Sequence, residues 1–206
     1  MRILHVSWEY PPLVYGGLGR HVHALAEAQA AAGHDVVVVT QHAGPDVEVD
    51  RVENGVRVVG VPYDALRFTE AELLAWVRGL DHALSRGALE LGHEWRPEVV
   101  HAHDWMVADS GATLRAAFGV PLVATVHATE AGRHQGWLPG DLSREIHRTE
   151  WRLTFESRRV VTCSATSEDD TLAVRRHRDV SWLAEREALG AGVLSRERVA
   201  RRIRVA

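Results

Sequence analysis

The sequence predicts an α/β chain built on a doubly wound parallel sheet, and three observations carry that expectation. Short valine-rich apolar runs alternate along the chain with longer segments whose apolar residues recur at helical spacing. Glycine or proline separates most of these segments, as at Gly33, Gly44-Pro45, Pro97 and Gly119-Val120-Pro121. The length, 206 residues, suits one well-cored domain with a small appendage.

Residues 2–8 form a short apolar run that suits a buried strand, and Val36-Val37-Val38-Val39 forms a second. Between them Val22, Leu25, Ala26, Gln29 and Ala32 fall on one helical stripe, and Gly33 stands where a helix-ending glycine belongs. This is a βαβ unit. Asn54-Gly55, between Val47-Glu48-Val49 and Val56-Arg57-Val58-Val59, reads as a hairpin turn decorating the sheet. A long helical pattern runs from about Thr69, a candidate N-cap, to Leu91. Pro97 then introduces Val99–His103 as a third parallel strand. A helix over Val107–Phe118 leads to a strand over Leu122–His127, and a helix over Asp141–Arg158 leads to a strand over Val160–Cys163. Residues 1–165 are expected to form the domain. In residues 166–206 the apolar runs stop and arginine clusters appear, as in Arg175-Arg176-His177-Arg178, so that segment reads as a helical or poorly ordered tail.

Charge and composition exclude some classes. The net charge is −4 with no basic cluster inside the domain, which argues against a nucleic-acid surface. No apolar run approaches the roughly 20 residues that span a bilayer, and Glu9 interrupts the N-terminal run too early for a secretory signal. The cytoplasm is the expected location. The single cysteine, Cys163, follows an apolar run and reads as a small buried residue rather than a nucleophile.

In an open parallel sheet, ligands bind beyond the carboxyl ends of the strands. Three polar groups sit there: Glu9 with a glycine loop after the first strand, His101, His103 and Asp104 after the third, and His127 to His134 after the next. They are expected to converge on one rim. Gly16, Gly17 and Gly19 lie ahead of the first helix, where free N–H groups and the helix dipole favour an anion and glycine admits a phosphate to the main chain. The spacing matches neither a dinucleotide fingerprint nor a P-loop. A structural turn is the alternative. His101 and His103, alternate residues of a strand, can share a metal ion, which with His127 would make a metal-dependent hydrolase centre. Hydrogen bonding to a polyhydroxylated ligand is the simpler reading of the same cluster. Tyr15, Trp105 and Trp137 are candidates for stacking on sugar faces.

Ser7-Trp8-Glu9-Tyr10-Pro11-Pro12 with Gly16-Gly17-Leu18-Gly19, then Gly33-His34-Asp35-Val36, His101-Ala102-His103-Asp104-Trp105, Thr125-Val126-His127-Ala128-Thr129-Glu130 and His134-Gln135-Gly136 occur in this order. Together they resemble the N-terminal half of glycosyltransferase family 4 enzymes, nearest their glycogen and starch synthase-like members, over roughly residues 1–165. The resemblance implies a GT-B architecture, in which two Rossmann-like domains face a cleft. It further implies retaining transfer of a sugar, glucose being the first expectation, from a nucleoside diphosphate donor such as ADP- or UDP-glucose to a glycan or small acceptor. No catalytic metal and no other cofactor are implied.

On the same resemblance, Gly16, Gly17 and Gly19 match the loop near the donor diphosphate, and His127 matches the histidine that contacts the donor sugar at the reacting centre. Glu9, Tyr15, His103 and Asp104 match positions lining the cleft for sugar or acceptor. The sequence departs from the family in two places. Val14-Tyr15 stands where bacterial starch and glycogen synthases carry a lysine, which favours the broader family over the ADP-glucose enzymes. The Arg/Lys pair and Glu-x7-Glu motif of the family's C-terminal donor-binding domain are missing. The chain alone is therefore expected to transfer sugar negligibly, with a second polypeptide as a candidate source of the donor half. A non-catalytic sugar-binding role is the alternative.

Overall fold

The computed structural model describes residues 1–62, 69 and 72–163. Its elements are β1 Arg2–Val6, α1 Gly17–Ala31, β2 Asp35–Gln41, β3 Asp50–Glu53, β4 Val56–Val61, α2 Leu73–Leu91, β5 Val99–His103, a 3-10 turn Trp105–Val107, α3 Ala108–Phe118, β6 Leu122–Val126, α4 Glu130–Arg133, α5 Gly140–Glu156 and β7 Arg159–Thr162. The expected tail at 166–206 lies outside the described residues.

The strands form one seven-stranded sheet in the order β3-β4-β2-β1-β5-β6-β7. Every neighbouring pair is parallel except β3 with β4. The expected hairpin does more than decorate the sheet. Its second strand, β4, is a full parallel neighbour of β2 from Val36↔Val56 to Gln41↔Val61, because Val56, Val58 and Val61 are buried like the central strands. Its first strand lies at 50–53 rather than 47–49. Asn54 and Gly55, at φ 49° and 82°, supply the left-handed pair that a tight two-residue turn requires.

The run Val36–Val39 shows why central parallel strands read as continuous apolar stretches: both faces are covered. Val36 and Val38 pack with Leu18, Val22 and Ala26 of α1, whereas Val37 and Val39 join the larger cluster with Leu80 and Leu84 of α2, Leu114 of α3 and Leu153 of α5. Leu4, Val6, Val100 and Ala102 also point to that larger cluster. His5, His101 and His103 alternate with them and so fall on the α1 side of the sheet.

The topology locates the site. From β1 the chain moves outward through β2 to β4, then returns by α2 to β5 on the other side of β1 and continues to β7. The direction reverses between β1 and β5, and the crevice beyond the carboxyl ends of those two strands is where doubly wound sheets hold their ligands.

Candidate functional site: a rim of glycine, histidine and carboxylate at the β1/β5 switch point

Glu9 follows β1 and is 1% exposed. Its carboxylate turns inward under the glycine loop and accepts backbone N–H groups of Tyr15 (2.5 Å), Gly16 (3.2 Å) and Gly19 (3.0 Å). The helix N-terminus therefore already holds an anion from its own chain. Gly19 lies inside the first turn of α1, and a Cβ there would stand 3.2 Å from both Glu9 Cγ and Val14 Cγ2. Packing on Glu9 is reason enough for that glycine. Gly16 and Gly17 differ: a Cβ at either would meet nothing within 4 Å. Gly16 has φ −153°, extended backbone that any residue adopts.

Tyr15 is 69% exposed and stacks on Trp8, with ring centroids 5.2 Å apart and planes 9° from parallel. Of the other expected stacking residues, Trp137 is 71% exposed, but Trp105 is buried in the core because the 3-10 turn tucks its ring beneath α2 and α5.

The histidines converge across strands. His5 and His101 are direct partners in the β1/β5 register, and His101 and His103 are stacked at 4.3 Å. His103 Nε2 lies 2.9 Å from His5 Nδ1, and His5 Nε2 lies 2.7 Å from Gln29 Oε1 of α1. His127, just beyond β6, and His21, in α1, complete the group, with ring centroids 5.0 Å apart. Burial holds four of these imidazoles neutral: His5 and His127 are lowered to about 4, and His101 and His103 well below the usual value, with the neighbouring histidines adding to the effect. A neutral His127 can donate or accept a hydrogen bond at pH 7 without carrying charge.

The hydrolase trio of His101, His103 and His127 is not the one the structure assembles. His101 Nε2 is engaged with Thr125 Oγ1 at 2.7 Å. The convergent sets among the described residues are His5, His101 and His103, and His21, His103 and His127.

Asp104 ends β5 in a left-handed conformation, φ 70°, and its carboxylate accepts the Trp105 N–H at 3.1 Å. Burial pushes it up to about 6, opposed by Arg133 at 4.0 Å. Arg133 sits on α4, whose first turn is capped by Thr129 and carries Glu130. Glu150 of α5 accepts the Glu130 N–H at 2.7 Å, and burial raises it to about 8. Cys163 corrects another expectation: it is exposed beyond β7, its Sγ 3.5 Å from His127 Nδ1. Partial desolvation raises its thiol, the opposite of an activated nucleophile.

Glu9, Tyr15, Gly16, Gly17, His103, Asp104 and His127 thus share the expected rim, Glu9 from beneath it. Sequence reasoning missed His5, His21 and Glu150, and had Arg133 only as an unnamed member of the stretch from His127 to His134. His5 was visible only as a polar residue alternating with Leu4 and Val6, and His21 only as the residue one turn into α1. Glu150 gave no signal, since it sits in an amphipathic helix rich in charge.

A doubly wound domain with its polar rim at the β1/β5 switch point has the architecture of one half of a GT-B fold. Residues 15–181 match the model of glycosyltransferase family 4, and the chain belongs to that family. The glycogen synthase of Mycobacterium tuberculosis is 50% identical over 181 residues, an alignment that covers 82% of this chain and 44% of that protein. Among solved structures, sucrose-phosphate synthase from Thermosynechococcus elongatus superposes with a TM-score of 0.68 at 18% identity, over 85% of this chain and 45% of that one. Anabaena HepE in complex with UDP-glucose superposes with a TM-score of 0.56 at 15% identity, over 84% and 40%. The chain spans less than half the length of these relatives. Among the described residues no helix is long and apolar enough to cross a membrane.

Proposed function

We propose that residues 1–165 form the N-terminal, acceptor-side wall of a retaining glycosyltransferase cleft. In this reading a hexose, glucose by analogy with the relatives above, passes from a nucleoside diphosphate sugar to a glycan or small acceptor. A donor-binding domain, in the same polypeptide or a second one, faces this wall. The cytoplasm is the compartment that goes with it.

One observation supports the reading: Gly16 and Gly17 border open space at the start of α1 and neither has a positive φ, so the loop leaves room for a phosphate to approach the main chain. The N–H groups of Gly17 and Leu18 have no intrahelical acceptor, as at any helix start. With Glu9 already saturating Gly16 and Gly19, those two are the donors left for a diphosphate. His127, neutral and half-buried, would hydrogen-bond the donor sugar. Tyr15 on Trp8 offers a flat face to a sugar ring. His103 and Asp104 would line the floor, with Arg133 balancing the aspartate as its charge varies near neutral pH.

The test is calorimetric titration of the chain with UDP-glucose and with ADP-glucose, for wild type, Gly17→Val and His127→Ala. Gly17→Val adds bulk into open space, so the fold is kept while phosphate approach is blocked. Each variant should weaken binding at least tenfold. Equal binding by wild type and Gly17→Val would refute the diphosphate assignment. Transfer of labelled sugar to glycogen or to a hexose phosphate, measured with a donor-binding domain supplied in the same or a second polypeptide, distinguishes a catalytic wall from a sugar-binding module.

A further inference from the structure

His21, His103 and His127 bring one nitrogen each to within 4.8 Å of one another. Among the described residues, His21 Nε2, His103 Nδ1 and His127 Nε2 are buried nitrogens that no hydrogen bond occupies. An oxygen placed between three atoms no farther apart than that lies within about 2.8 Å of each, the length of a hydrogen bond. A buried polar atom left unsatisfied costs stability, so three in one place mark a position for a small polar group. Which nitrogens carry protons decides what that group must be.

Two residues behind His103 decide this for its ring. A neutral imidazole has one N–H and one lone pair, and burial keeps both His5 and His103 neutral. Gln29 Oε1 only accepts, so His5 Nε2–H donates to it at 2.7 Å. His5 Nδ1 is then a lone pair, and at 2.9 Å it accepts from His103 Nε2–H. His103 Nδ1 is left without a proton, as an acceptor. His101 stands outside this chain, because its Nε2 is engaged with Thr125 Oγ1 at 2.7 Å. Turning the Gln29 amide so that its NH2 faced His5 would reverse both bonds and put the proton on His103 Nδ1. One side chain on α1 therefore sets the polarity of a group at the end of β5.

We propose that Gln29 and His5 are positioning residues that hold His103 as a hydrogen-bond acceptor, and that the position between His21, His103 and His127 takes one hydroxyl group of the sugar. The hydroxyl hydrogen goes to His103 Nδ1. The hydroxyl oxygen keeps its lone pairs and accepts an N–H from His21 or His127. An ether or carbonyl oxygen brings no hydrogen for His103, which is how the position selects a hydroxyl. His103 is fully buried, and His21 and His127, both half-buried, form the rim through which the group enters. The identity of the ligand rests on the sugar-binding reading above; the tautomer of His103 does not.

The experiment records imidazole nitrogen resonances of the chain labelled with nitrogen-15 at histidine, at pH 8, with His103 assigned from a His103→Gln sample. Wild type should show His103 Nδ1 as the unprotonated nitrogen and Nε2 as the protonated one. Gln29→Met keeps length and helix propensity but removes the acceptor, and should move His103 toward a mixture of tautomers. Gln29→Glu keeps an acceptor and should keep the wild-type pattern. Maltose and UDP-glucose should each shift the wild-type Nδ1 resonance, UDP should not, and Gln29→Met should weaken the sugar-dependent shift about fivefold. A proton on Nδ1 in wild type overturns the proposal, as does a His103 pattern that Gln29→Met leaves unaltered. An Nδ1 resonance that neither maltose nor UDP-glucose moves overturns it as well. A response to maltose with no binding of UDP-glucose or UDP supports the hydroxyl position and refutes the diphosphate assignment instead, so the two failures are told apart.

Discussion

Replacing Glu9 with alanine removes the anion that the chain has built into the start of α1. The carboxylate accepts three backbone N–H groups, from Tyr15, Gly16 and Gly19. The Gly19 bond is buried, and leaving that N–H unpaired costs about 2 kcal/mol. The other two are partly accessible, so water can replace the carboxylate, and about 0.5 kcal/mol each is a fair charge. The loss of negative charge at the helix start falls within the same range as a lost cap, about 0.5–2 kcal/mol, and is not counted again. The sum is about 3 kcal/mol. For a domain of this size 1 kcal/mol corresponds to about 2–4 °C, so thermal unfolding followed by circular dichroism should fall by about 6–12 °C. Glu9→Gln keeps the volume and one acceptor oxygen but turns an NH2 toward backbone donors, and it should lie between alanine and wild type. A Glu9→Ala midpoint within about 2 °C of wild type would mean that the loop is held by something other than this carboxylate.

Asp81 is buried in α2, where Ser110 donates to it, and burial raises it from 3.8 to about 7. The folded state thus keeps a proton that the unfolded chain releases, so stability from this group is fully present near pH 4 and is lost as pH rises toward 7. Three units at about 1.4 kcal/mol each set a ceiling of about 4 kcal/mol. Asp81→Asn does not titrate, so its stability relative to wild type in urea should rise between pH 4 and 8; a constant difference would refute the assignment. Gly87 of α2 has a virtual Cβ only 2.4 Å from Cγ1 of buried Val61. Gly87→Ala should therefore destabilise by about 1–2 kcal/mol in urea unfolding, overpacking of about 1–3 kcal/mol outweighing a helix-propensity gain of up to about 1. A net stabilisation would show that β4 and α2 separate freely.

Period and punctuation in the sequence determined the elements and the fold class. Val36–Val39, Val99–His103 and Leu122–Val126 became central strands because short apolar runs between glycine and proline have few other ways to be buried. The glycine loop, His103, Asp104 and His127 were legible as a rim because a parallel sheet brings the carboxyl ends of its strands together wherever the strands fall in the sequence. The hairpin was read correctly as a turn and incompletely as a partner, since a local pattern shows that β3 and β4 pair but not that β4 joins β2. Tertiary structure alone decided that Glu9 turns inward to cap α1, that Trp105 is core, and that His5, His21 and Glu150 reach the site. Those outcomes depend on which strand lies beside which and which helix face meets the sheet: His5 meets His103 across 98 residues and Gln29 across 24. Spacing along a chain encodes secondary structure because its hydrogen bonds are local. A polar cluster assembled across a sheet is set by strand order and register, which no single segment contains.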